Sequence, residues 1–153
     1  ENCSVSGSVS GTVYVGGVVG AQWGGTTTGC SSSATVKGMV DVGGVAGQTN
    51  GSATLTACYA TGNVTSTGSS TGKVHIGGFL GDNYTTVTAC YWKNNHEQGF
   101  GYKKAGTGTE VTKVDGSVVT WQKAVDAMNN ALQNAGSKWR YELNGTLPTL
   151  RKQ

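Results

Sequence analysis

The chain writes one glycine motif three times, and that repetition constrains its fold more than anything else in it. Val15-Gly16-Gly17-Val18-Val19-Gly20 returns as Val42-Gly43-Gly44-Val45-Ala46-Gly47 and as Ile76-Gly77-Gly78-Phe79-Leu80-Gly81. Used once, such a motif can be a ligand loop; used three times in register, it is an architectural unit. Cys3, Cys30, Cys58 and Cys90 recur with it at spacings of 27, 28 and 32 residues. The longest interval reflects an insertion drawn from Ser66-Thr67-Gly68-Ser69-Ser70-Thr71.

Ahead of each glycine pair runs a β-branched triplet: Val13-Tyr14-Val15, Val40-Asp41-Val42, Val74-His75-Ile76. Strand side chains alternate faces, so the flanks are expected to bury and Tyr14, Asp41 and His75 to form a solvent-facing column. The glycine pairs permit a corner or a close backbone approach. After each motif come turn-like residues: Ala21-Gln22-Trp23, Gln48-Thr49-Asn50 and Asp82-Asn83-Tyr84. One unit of about 27 residues cannot bury its own apolar edge, but units stacked about 4.8 Å apart can cover one another. The expected fold is all-β: a right-handed β-solenoid of three to four coils over residues 1–102, closed by a small α+β cap over 103–153.

In that second segment Trp121, Ala124, Val125, Met128 and Leu132 form one apolar helical stripe. A helix over about 120–135 is expected to lay this stripe on the last coil, ended by Gly136. Strands at about 138–150 follow, turning at Asn144-Gly145.

Charge narrows the function classes. The net charge is +3, and residues 103–153 hold eight basic against four acidic groups. Eight dispersed cations make no nucleic-acid stripe. No apolar run approaches the length that spans a bilayer, so no membrane insertion is expected in this segment. Beginning with Glu1 just before a repeat cysteine, the chain reads as part of a longer polypeptide.

The catalytic motifs are weak. His96-Glu97-Gln98-Gly99-Phe100 imitates a zinc-peptidase H-E-x-x-H but lacks its second histidine. There is no C-x-x-C or His-rich spacing for zinc, and the glycine motif lacks the Gly-Lys-Ser/Thr of a phosphate loop. Asp41, Asp82 and Glu97 have no close spacing; Asp41 and His75 are expected to form a weak surface pair on successive coils. No enzyme, metal or cofactor is expected. The cysteines share a repeat position. Stacked side chains would sit farther apart than disulfide geometry allows, so four free, inward thiols are expected.

What remains is a surface for binding. Tyr14, Asp41 and His75 stand beside the outward loop of Ser66, Thr67, Ser69 and Ser70, with Trp23 and Tyr84 sharing a repeat position nearby.

Cys-Tyr-Ala-Thr-Gly-Asn-Val (58–64) followed by Ile-Gly-Gly-Phe-Leu-Gly-Asp-Asn (76–83) resembles the GLUG repeat of bacterial surface proteins. Trp139 to Leu150 is similar to the tails closing such proteins in gut Bacteroidetes. The resemblance implies an exported, surface-displayed, non-catalytic repeat region of the adhesin kind, with a glycan or host surface protein as partner. A stalk, or an accessory domain of a large surface peptidase, is the alternative.

Overall fold

The computed structural model describes residues 1–68, 73–104 and 111–153. Strands dominate, and successive repeat units pair in parallel, so each main sheet takes one strand from each unit. One sheet runs Ser4–Val5, Ser31–Ser32, Tyr59–Ala60, Cys90–Trp92 and Val111–Lys113; another runs Val19–Gln22, Ala46–Thr49, Leu80–Asn83 and Phe100–Lys103. Gly16, Gly43 and Gly77 lie in one column of Cα partners, as the motif predicts.

The reason for glycine is visible at Gly43. A Cβ there would stand 2.2 Å from the Ala46 carbonyl oxygen and 2.6 Å from Leu80 Cα in the next unit. Backbones of adjacent units meet where a methyl group would hold them apart. A second glycine column, Gly20, Gly47, Gly81 and Gly101, repeats the close approach: a Cβ on Gly81 would meet backbone of Asp41, Val42 and Gly47, and one on Gly101 would meet His75 and Ile76.

Between the sheets lies a thin core of Val45, Leu55, Phe79, Leu80, Val87 and Trp92 with Cys30, Cys58 and Cys90. All four cysteines are free. The column is linked by weak contacts, with Cys30 N donating to Cys58 Sγ at 3.4 Å and Cys58 N to Cys90 Sγ at 3.3 Å. The hydrogen bond from Cys58 and burial push the Cys30 thiol far up, and burial does the same to Cys58. Cys3 differs from the expected inward column: it is exposed, because the first unit ends every ladder it joins.

Three further expectations need correction. First, the β-branched triplets do not alternate regularly. Tyr14 and Asp41 take positive φ, 55° and 50°, which breaks the two-residue period as a bulge does. Val15 and Val42 are buried while Val13 is 47% exposed. Asp41, expected in solvent, is only 6% exposed. Second, the first two residues of each turn-like triplet are strand, since Ala21 pairs with Gln48 and Gln48 with Asp82, and only Trp23, Asn50 and Tyr84 lie beyond the strand ends. Third, the apolar stripe of the helix Trp121–Asn134 does not cover the end of the ladders. It packs along their flank, on Ala57, Tyr59, Tyr91 and Val114. The flank offers an apolar target because pairing sets Tyr59 beside Tyr91, with Ala57 and Val114 next to them.

The ladders also run past residue 102, since Val111–Lys113 pairs with Cys90–Trp92. The strands Trp139–Glu142 and Thr149–Lys152 pair antiparallel and pack with the helix on the same flank, where Tyr141 OH donates to Ala57 O at 2.9 Å. Among the described residues no helix is long and apolar enough to cross a membrane.

Candidate polar–aromatic site

Two neighbouring columns build the site. One carries Tyr14, Asp41 and His75, each just ahead of a glycine pair. The other carries Ala21, Gln48, Asp82 and Tyr102, each just after the second glycine column. Glycine at 47, 81 and 101 lets the two backbones touch, and that contact sets the side chains of one column against those of the other.

The result is a cluster whose members are distant in sequence. His75 Nδ1 lies 2.9 Å from Asp41 Oδ1 and 3.6 Å from Asp82 Oδ2. Gln48 Nε2 donates to Asp82 Oδ2 at 3.2 Å. The His75 ring stacks on Tyr102 at 5.1 Å between centroids, and Tyr102 leans on Tyr84 at 5.7 Å. Asp41 and Asp82 are buried, whereas Tyr102 is 41% exposed, so the aromatic rim opens to solvent and the carboxylates sit beneath it. Burial, then the charge of Asp82, raises the Asp41 carboxyl above its ordinary value; His75 opposes both.

The expected surface residues divide. Asp41 and His75 do meet, although as a largely buried pair and not as a weak surface one. Tyr84 joins them through Tyr102. Tyr14 and Trp23 stand exposed in the first unit, at 39% and 63%. Ser66 ends the strand Val64–Ser66 and pairs with Gly38, while Thr67 N donates to Gly38 O at 2.8 Å. The ladder therefore continues into the expected loop as far as Thr67. Ser69 and Ser70 lie outside the described residues. Gln48, Asp82 and Tyr102 were missed by sequence reasoning. The signal available was Gly99-Phe100-Gly101, a shortened fourth copy of the motif ending that puts Tyr102 in register with Asp82.

The His96-Glu97 segment is non-helical, as its glycines require. His96 Nε2 sits 2.8 Å from Val64 O, and Glu97 pairs outward with Lys113 Nζ at 2.8 Å.

The fold and the glycine columns thus define a parallel-stranded repeat protein. The family model of the GLUG motif matches residues 11–37, the first glycine corner and the strand leading into the second unit. No curated protein and no solved structure matches the chain.

Proposed function

We propose that this chain is a non-catalytic, extracellular repeat domain of a bacterial surface protein, built as a β-solenoid, whose polar–aromatic face binds a glycan or a host protein. The observation carrying this reading is the set of exposed rings on and beside the hydrogen-bonded ladders: Trp23, Tyr14 and Tyr102 are each more than a third exposed. His75 stacks behind the last of them. Rings held on rigid strands bind sugar or protein surfaces at low entropic cost, because few side-chain rotors are lost. The GLUG match supports the repeat architecture, and the thinly charged ladders suit display better than acid–base chemistry. Affinity per site is expected to be weak, and many copies on one surface would raise avidity.

Glycan and extracellular-matrix arrays test this. A hit should weaken with Tyr14→Ala and Tyr102→Ala and disappear when residues 66–71 are also removed. A hit untouched by all three changes places the site elsewhere. No hit on either array supports the stalk, a reading favoured by the uninterrupted pairing of four to five strands along two sheets.

A further inference from the structure

We propose that Asp41, His75 and Asp82 form a binding site for a first-row divalent cation of the zinc or manganese class. The three residues each offer one ligand atom, and these atoms lie within 4.8 Å of one another. The two contacts of His75 Nδ1, 2.9 and 3.6 Å, bracket the spacing of about 3.3–3.5 Å between donors that a tetrahedral ion holds at about 2.0–2.2 Å. Two carboxylate oxygens and one imidazole nitrogen are a mixed donor set of borderline hardness, suited to these ions and less to calcium, which prefers oxygen alone.

An independent observation points to a missing partner. Asp82 is only 3% exposed, yet its Oδ1 makes no hydrogen bond among the described residues. A buried carboxylate oxygen left bare is costly, and here it belongs to the residue that completes the cluster. Asp41 lies beside it, also buried. Two carboxylates with one imidazole between them carry an excess of negative charge that a dication would neutralise. The backbone provides the rigidity: Asp41 and Asp82 reach the cluster from strands locked to their neighbours by parallel pairing. The His75 ring is held against Tyr102. Three protein donors leave at least one coordination position, and the partly exposed His75 side chain, at 18%, marks the open side.

The inference does not depend on the adhesive reading, because its test uses the metal alone. In a Cys3→Ser background, which removes the one exposed thiol, Co2+ titration followed by visible absorption should show one ion per chain, without sulfur-to-cobalt charge transfer. Zn2+ should displace it. Asp82→Asn and His75→Gln should each weaken binding by about tenfold or more, with far-UV circular dichroism confirming the fold. Bound metal should raise the melting temperature of the parent and not of the variants. Without metal, Asp82→Asn should melt no lower than the parent, since it removes one of two crowded carboxylates. If that variant does not fold, His75→Gln, on a partly exposed side chain, carries the test alone. Absence of binding at millimolar Co2+, or binding that both variants retain, overturns the proposal. So does a parent that binds nothing and loses stability with either substitution, which would mark a protonated His75 bridging two carboxylates.

Discussion

The repeat ladders and the helix-and-hairpin segment are ordered by opposite means. In the ladders, order depends on atoms that are absent. Gly16, Gly43 and Gly77 have no room for a Cβ between a carbonyl of their own unit and the backbone of the following one, and the core between the sheets is made largely of small side chains. In the C-terminal segment, order depends on bulk. Trp121, Met128, Leu132 and Tyr141 fill the space over the ladder flank, and Tyr59 meets both Trp121 and Tyr141 edge-on at 5.2 and 5.8 Å. One region should therefore fail when a carbon is added, and the other when carbons are removed.

The largest effect is expected from Gly43→Ala. The added methyl would overlap backbone on both sides, which no side-chain rotation relieves, and the cost should reach about 3 kcal/mol or more. Gly24→Ala, whose Cβ would meet only the Ser52 hydroxyl at 3.3 Å, should stay within about 0.5 kcal/mol. Denaturant melts of the two variants check the contrast; equal costs would mean the glycine columns do not set the unit spacing.

Next comes Met128→Ala, a fully buried side chain on the helix, with an expected loss of about 2–5 kcal/mol. Hydrogen exchange sharpens the comparison here. Helix and hairpin amides should lose protection first while the Ala46–Thr49 and Leu80–Asn83 ladder keeps its own. A uniform loss would mean that the two regions unfold as one unit.

These same opposites explain what could be read in the sequence. The glycine columns were legible because no Cβ fits where they occur, so identity recurs at fixed spacing, and the cysteines recur in step with them. The helix stripe was legible from its period, but its target was not: Ala57, Tyr59 and Tyr91 form one surface only after the units pair. The Asp41–His75–Asp82 cluster was hidden for two reasons. Positive φ at Asp41 turned a residue that strand alternation assigns to solvent, and Asp82 reads as a turn residue until its register with Gln48 is known. His75 and Asp82 are also seven residues apart, with a corner between them, so no linear motif relates them.

A smaller effect separates the four thiols. Cys30, Cys58 and Cys90 are each at most 3% exposed, and the first two have raised thiol pKa values. Since the thiolate is the reactive form, native protein at neutral pH should alkylate quickly at Cys3 alone, and at all four sites in denaturant. Two or more fast thiols in the native state would show that the ladder core opens more readily than the helix that flanks it.

The smallest effect expected belongs to the junction between the regions. Asp115 Oδ1 accepts from the backbone N–H of Ser117 at 2.8 Å, Val118 at 2.9 Å and Val119 at 3.0 Å, just ahead of the helix cap at Thr120. These donors, Ser117 foremost, hold the Asp115 carboxyl below its ordinary value. A depressed carboxyl contributes stability that is complete above its unfolded pKa, about 3.9, and lost as pH falls through its folded one. Asp115→Asn keeps an acceptor oxygen but not the charge, so the variant should melt slightly below the parent at pH 7. That gap should narrow steadily below about pH 4, where the parent carboxyl is itself taking up its proton. A gap that stays constant into strong acid would assign the effect to lost hydrogen-bond geometry instead of charge. If ladder amides lost protection along with the helix amides, Asp115 would be a joint holding both regions together and not the start of the second one alone.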